Sequence, residues 1–431
     1  ALYRPEATSS LSGTTFMTAL LDLHDSSLRL WHEDTFLESP GYAWHDGNHF
    51  RFGLPAMHTQ RRTPRDVNTR YWSQLSTQPL SPPLGQARHG ADLVHAHLQE
   101  LHQLANQPKS VLMTAPGSMD REALSLLLGI AEHLPFDIVG LVHRSALIGA
   151  ASGLNDGLHV ELQLHQTLIT PFRVEGDSVT VGASQVIPSE GMLALQDRLA
   201  NAIAASFVAQ TRFDPLRSAD AEQALYDALP LALTTLQQQT ETQIAISGYS
   251  ARITRDDLRS VGAAYGQMLE PLLPDDTPVL LENPLDLLPG LTLSVPHQNT
   301  SGEVIAKVVA DCKTQLLQDA QQLTLNRTVP VVSAPTITTE PEMPPMAAVS
   351  SATAIPTHIL LNSRALRINE TTTLDNGAVL QQTGAGVSLS SAASNTLTVN
   401  AEAAVVGQLL QVGDRLTDAT GLDALFIVVE D

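Results

Sequence analysis

One cysteine, Cys312, stands alone in 431 residues, so no disulfide can close within the chain and no cysteine-based zinc site fits. Aromatic residues make up only 4% against 43% hydrophobic residues, so any core must be built mostly from Leu, Val, Ile and Ala. Basic residues are scarce: 24 Lys and Arg face 45 Asp and Glu, a net charge of −21. That balance argues against nucleic acid or an anionic membrane surface as a partner and favours a protein partner. Long apolar runs are missing too. The stretch from Ala123 to Ala131 falls far short of the roughly 20 residues a bilayer span needs, so no membrane insertion is expected. The first residues are polar and carry no apolar signal segment, which makes a cytoplasmic location the default expectation. No GxSxG elbow, GxxxxGK[ST] loop, GxGxxG or HExxH sequence occurs, so those enzyme templates find no support.

At roughly 150 residues per domain the chain has room for two to four domains. Residues 328–356 (TVPVVSAPTITTEPEMPPMAAVSSATAIP) are rich in Pro, Thr, Ser and Ala, and only Glu340 and Glu342 are charged. Such a stretch buries too little apolar area to fold, and it reads as a linker. Residues 1–16 read as a disordered arm, 17–327 as a large body and 357–431 as a small all-β domain.

In the body, TALLDL (18–23) and SLRLW (27–31) flank a His24-Asp25-Ser26 turn and predict a hairpin. Short strands follow around 41–44 and 49–53. Residues 88–106 place Leu93, His97, Leu101 and Leu104 on one helical face. A strand over 111–115 ends at Pro116-Gly117. A helix over 119–133 has acidic residues in its first turn, as the helix dipole prefers. A strand over 138–142 leads into a small-residue helix over 145–152. A second series then begins: strands over 158–165, 168–174 and 178–182, and helices over 190–209 and 220–238. A hairpin (242–247, 250–253) turns at Gly248-Tyr249, and a helix over 254–272 is capped by Thr254 with Asp257 three residues on. A strand over 279–282 and a helix over 302–323 complete the series. Two successive sets of hairpins, helices and strand–helix units make an α/β protein.

This order resembles the actin / DnaK-type heat-shock chaperone ATPase superfamily over about residues 17–323. MTALLDLHDSSLRLW stands where the first phosphate hairpin of that superfamily lies, and GLHVELQLHQTLITPFRV where the second lies. VLMTAPGSMDREALSLLLGIAEHLPFDIVGLVHRSALIGAA resembles the strand, Pro-containing turn, helix, and strand leading into an Ala-rich interdomain helix. PVLLENPLDLLPGLTLSV stands where the adenosine-contacting strand and loop belong. The resemblance implies a two-lobed fold of duplicated ribonuclease-H-like halves. The first lobe is 17–155, with an inserted subdomain at about 54–108, and the second is 156–327. It also implies a nucleotide site made by Asp22, Ser26, Ser27, Glu161, Thr167 and Gly290, with ATP and magnesium as cofactor.

The departures from the family pattern matter more. A hairpin that cradles phosphate needs glycine, so that backbone N–H groups can approach the oxygens. Here His24 replaces the glycine after Asp22. The glycine-rich run after Glu161 becomes Leu162-Gln163-Leu164-His165-Gln166, and the glycine pair of the adenosine loop becomes Glu282-Asn283-Pro284. No lysine precedes Lys109, so the first-half lysine that the chaperones use is absent; arginine could replace its charge but not its shape. The expectation is therefore a non-catalytic scaffold that binds protein partners and no cofactor. A divergent ATP-dependent switch or chaperone-like ATPase is the alternative.

Three further features bear on function. Residues 357–431 alternate in short runs and weakly resemble a forkhead-associated domain in NTLTVN, LLQVGDRL and LFIVV. Where that family grips phosphothreonine, this chain offers only Ser388, with Ser391 in place of a histidine, and Arg364 and Arg367 outside a Gly-Arg pair. Arg61, Arg62, Arg65 and Arg70, beside Tyr71 and Trp72, make the strongest basic cluster. They read either as a partner-binding surface or as pairs for the protein's own carboxylates. His95, His97 and His102 read as partly exposed helix histidines. His24 and His165 sit in the two hairpin turns, where they could face each other across a cleft, either holding a metal or anion or plugging an unused pocket.

Overall fold

The computed structural model describes residues 16–319, 322–331 and a series of short segments between 356 and 427. The chain forms two compact units, Ala1–Ile337 and Thr338–Asp431.

The larger unit opens with the hairpin β1 (Phe16–Asp22) and β2 (Leu28–Glu33), extended by β3 (Thr35–Ser39). β1 is apolar without alternation because both of its faces are covered: Ala19 and Leu21 enter one core and Leu20 another. A small sheet of β4 (Ala43–His45), β5 (Phe50–Phe52) and β6 (Val67–Asn68) follows, with the short helix α1 (Leu54–Met57) between the last two. β7 (Pro79–Leu84) and β8 (Ala87–His89) pair as a ribbon. Next come α2 (Gly90–Leu104), β9 (Ser110–Ala115), α3 (Arg121–Ala131), β10 (Asp137–His143) and α4 (Arg144–Ser152). The sheet order is β10-β9-β1-β2-β3, with β1, β9 and β10 parallel and the hairpin strands antiparallel.

The second series starts with β11 (Asp156–Leu162), β12 (Gln166–Glu175), β13 (Ser178–Val181) and β14 (Gln185–Pro188). It continues through α5 (Met192–Thr211), α6 (Ala219–Gln238), the hairpin β15 (Glu241–Ile246) and β16 (Tyr249–Thr254), and α7 (Arg255–Leu269). β17 (Val279–Glu282), β18 (His297–Thr300), α8 (Val304–Leu316) and β19 (Thr328–Pro330) end it. Its main sheet runs β18-β17-β11-β12-β13-β19. From β18 to β13 this repeats the order and strand senses of the first sheet.

Helices α4 and α8 pack on each other, and each touches strands of both sheets. Their shared core takes Leu20, Leu112 and Val142 from the first sheet and Phe172, Val179 and Leu280 from the second. α4 is covered on all sides: its first seven positions, Arg144 to Ala150, are all buried, and at Gly149 a Cβ would lie 2.9 Å from the Phe172 ring. Two further cores lie outside the sheets, one under α2 and α3, the other under α5, α6 and α7.

The sequence pattern places most of these elements within a few residues. The capping box at Thr254 is formed, with both reciprocal hydrogen bonds to Asp257 present. The helix expected over 302–323 stops at Leu316. The chain there turns extended and bonds along β10, from Gln318 N–H to Val139 O and from Asn326 N–H to Leu141 O. Thr328–Pro330, expected as linker, instead adds a strand to β13 because Val329 is fully buried between the sheets. The edge strands β3 and β18 escape the sequence reading, since β18 is polar throughout and β3 exposes Phe36 together with Glu38. The expected arm, 1–16, lies outside the described residues except for Phe16, and so does the linker from 332 to 355. No helix among the described residues is long and apolar enough to cross a membrane.

Every described element of the smaller unit is a strand. One sheet joins Arg364–Arg367, His358–Leu361, Asp423–Ile427, Arg415–Thr417, Thr398–Val399 and Glu402–Ala403. The other joins Thr371–Thr373, Val379–Thr383, Gly386–Ser391 and Leu409–Leu410. Both contribute to one core that includes Ile359, Leu380, Leu389 and Phe426. Ser388 and Ser391 lie on the strand Gly386–Ser391, and Arg367 is exposed at the end of its strand.

Candidate functional site

Three carboxylates stand at the C-terminal ends of sheet strands: Asp22 on β1, Glu161 on β11 and Glu282 on β17. All three are buried, and so is Arg144, the first residue of α4. The guanidinium of Arg144 reaches every one of them. Its Nε donates to Asp22 Oδ1 at 3.1 Å and its Nη2 to Asp22 Oδ2 at 3.1 Å and Glu282 Oε1 at 2.9 Å. Its Nη1 donates to Glu161 Oε2 at 2.8 Å and Glu282 Oε2 at 2.7 Å. A guanidinium has five N–H bonds, and here all five end on carboxylate oxygens, bidentate to both Asp22 and Glu282.

Neighbours complete the shell. Thr114 on β9 donates its hydroxyl to Asp22, and Arg29 on β2 lies 3.7 Å from Asp22 and 3.8 Å from Glu282. His159 Nε2 is 3.1 Å from Glu282 Oε2. A carboxylate only accepts, so Nε2 donates to it, while Nδ1 lies 3.0 Å from the Ser145 hydroxyl. Burial alone would raise the Asp22 and Glu282 carboxyls, but Arg144 overrides it and holds both below the usual carboxylate range. The same carboxylates hold Arg144 well above its ordinary pKa despite the opposing burial.

Beside this cluster the two hairpin turns touch directly. The Ser26 hydroxyl donates to Leu162 O at 3.0 Å, and Leu164 N–H donates to Asp25 Oδ1 at 2.8 Å. With the Ser26 proton spent, His24 Nδ1–H donates to Ser26 Oγ, 2.7 Å away, leaving His24 Nε2 as a buried lone pair without a partner. Burial and then Arg144 lower the His24 pKa, which keeps the ring neutral. The Gln163 amide folds back onto Glu161 Oε1 at 3.0 Å and accepts from Ser118 and Gln166, so a side chain fills the second turn. Gly191, just before α5, must be glycine: a Cβ there would lie 2.3 Å from Gln166 N. Asp25 Oδ2 has no partner, and burial pushes the Asp25 carboxyl up to about 7. His24 and Asp25 line a cavity of about 20 Å³, room for about one water.

Of the residues singled out in the sequence, Asp22 and Glu161 meet around Arg144, and Ser26 lies in the seam between the turns. The others lie elsewhere. Ser27 donates to the exposed Glu38. Thr167, at the turn end of the second hairpin, bonds Glu190 O and Tyr265 OH. Gly290 has φ +85°, packs on the backbone of Arg259 and lines a separate cavity of about 570 Å³. His165 bonds Thr69 and lines another cavity, of about 530 Å³, so it does not face His24. A cation could find three ligand atoms in His24, Glu161 and Glu282. Both carboxylates are already bonded to Arg144, so a second positive charge would meet the guanidinium.

The basic cluster separates. Arg61 pairs with Asp197 and Glu222 and stacks 3.7 Å over Tyr226, and Arg62 pairs with Asp220. Arg65 and Arg70 are exposed. Tyr71 and Trp72 are buried core residues, so they cannot form an exposed hot spot. The helix histidines also differ from expectation. His97 is fully buried, stacked on Phe52 and bonded to Ser39, Tyr71 and Trp72, and burial lowers its pKa to about 3. His102 is buried against Pro108 O; only His95 is partly exposed.

Arg144, Glu282, His159 and Arg29 are the residues that the sequence reading did not assign to the site. The available signal was Arg144 itself, a charge opening a helix whose other residues, SALIGAAS, offer no exposed polar face. Comparison with protein-family models finds no match, and no curated protein matches the chain.

Proposed function

We propose that the larger unit is an actin/DnaK-type two-lobed frame in which an internal arginine stands where nucleotide and metal would lie, and that the protein is a non-catalytic scaffold for protein partners. The observation that carries this reading is the full use of the five Arg144 N–H bonds on Asp22, Glu161 and Glu282. The guanidinium supplies the positive charge that these carboxylates would otherwise offer to a metal ion and its bound water, and it stands among them. The direct hydrogen bonds between the hairpin turns, and Gln163 filling the second, close the space that a triphosphate needs. The repeated sheet order, with α4 and α8 between the sheets, supports the two-lobed frame.

The smaller unit adds a second binding module on a Pro/Thr-rich tether. Such a tether raises the local concentration of the second contact once the first has formed. The test is the thermal midpoint with and without millimolar Mg-ATP. A ligand at 100 times its dissociation constant adds about 2.7 kcal/mol. No shift and no phosphate release support the scaffold. A clear shift, lost on Asp22→Ala, would instead establish the ATP-dependent switch.

A further inference from the structure

We infer that the segment after α1 is an electrostatic clasp that opens and closes the mouth between the two sheet-bearing halves while the Arg144 cluster stays shut. The halves meet at two depths with different physics. The inner contact is the Arg144 cluster, whose ion-paired side chains are fully buried. The outer contact joins residues 57–62 of the first half to α5 and α6 of the second. Arg61 Nη2 bonds Asp197 Oδ1 at 2.6 Å, Arg62 Nε bonds Asp220 Oδ1 at 2.8 Å, and His58 Nδ1 bonds Asp227 Oδ1 at 2.7 Å. Gln223 accepts from Arg61 N–H at 2.9 Å and donates to Met57 O at 3.2 Å.

The side chains of the two arginine pairs keep 22–85% of their exposure, so salt screens them, and the His58–Asp227 hydrogen bond beside them is also partly exposed. Beneath the clasp, Tyr42 and Ala56 of the first half pack on Leu164 of the second, edged by Met57, Met192 and Leu193. That is a small apolar patch, much thinner than the core around α4 and α8. The clasp is therefore the weaker of the two contacts and the one that responds to ionic strength. Asp197 also walls the cavity of about 530 Å³ between the halves, so opening the clasp enlarges that cavity. None of this depends on whether nucleotide binds.

The test uses the full chain with labels at two exposed positions, through Arg65→Cys on the first half and Leu231→Cys on α6, 73% exposed; Cys312 is buried and does not compete for label. Distance distributions are recorded by spin–spin or fluorescence methods. At low salt the expected result is one narrow population. Molar salt or Arg61→Glu raises a longer-distance population about tenfold. Asp197→Arg added to Arg61→Glu returns the narrow population, and circular dichroism confirms that each variant is folded. An unchanged distribution in molar salt and in folded Arg61→Glu would overturn the inference. So would a double variant as open as the single, because the effect would then be local damage and not charge pairing.

Discussion

Replacing Arg144 with alanine removes the group that, among the described residues, alone bonds Asp22, Glu161 and Glu282 together. Breaking a buried ion pair by deleting one partner costs about 3–5 kcal/mol, because the other charge is left buried and unpaired. Here Asp22, Glu161 and Glu282 are left with Arg29, which is partly exposed and stands no nearer than 3.7 Å to any of them. The loss is therefore expected to be at least about 5 kcal/mol, comparable to the whole stability of a typical domain, about 5–15 kcal/mol. Urea unfolding followed by circular dichroism at pH 7 measures it. The pH slope adds a second, independent readout. In the native chain the Asp22 and Glu282 carboxyls are depressed, so their contribution is present above the unfolded carboxylate pKa and is lost as pH falls. Without Arg144, burial raises the same carboxyls, and the variant gains stability as pH falls. Combining Arg144→Met with Asp22→Asn, Glu161→Gln and Glu282→Gln should recover most of the loss, since a neutral, well-packed replacement of a buried ionic cluster is often tolerated. An Arg144→Ala protein within about 1 kcal/mol of the parent, with an unchanged pH slope, would show that the cluster does not hold the halves together.

Further outcomes follow from neighbouring residues. Asp25 titrates at about 7 in the folded chain, above its unfolded value, so its contribution is fully present near pH 4 and is lost as pH rises through 7. Asp25→Asn keeps the Leu164 acceptor and should stabilise the protein by about 2–4 kcal/mol at pH 8, with little effect at pH 4, as read from thermal midpoints across pH. Gly191→Ala places a Cβ against the backbone of the second hairpin turn and should cost about 2 kcal/mol or more in urea unfolding. His97→Ala removes a buried, stacked ring with partners on Ser39, Tyr71 and Trp72, and a loss of about 3–5 kcal/mol by the same assay is expected.

The body's elements were legible because its strands and helices carry strong local patterns. TALLDL and VLMTA are buried on both faces and read as continuous apolar runs, while the expected helix over 88–106 forms as Gly90–Leu104. The site was legible only in part. Asp22 and Glu161 stood out by resemblance, but the partners of Arg144 lie 122, 17 and 138 residues away in sequence. Only the parallel sheets bring those strand ends to the start of α4. His97 illustrates a different gap. Its place on the apolar face with Leu93 and Leu101 was visible, while its polar partners come from β3 and the loop before β7. The arginine cluster divided for a similar reason: Arg61 and Arg62 meet carboxylates more than 130 residues on, which no local pattern records.

Isothermal titration of the full chain with a non-hydrolysable Mg-ATP analogue asks whether Arg144 has taken the nucleotide's place. The expected result is no saturable heat at millimolar ligand. Saturable binding that disappears on Asp22→Ala or Glu161→Ala would mean that the triphosphate still enters beside the guanidinium, and the pseudo-enzyme reading would be wrong.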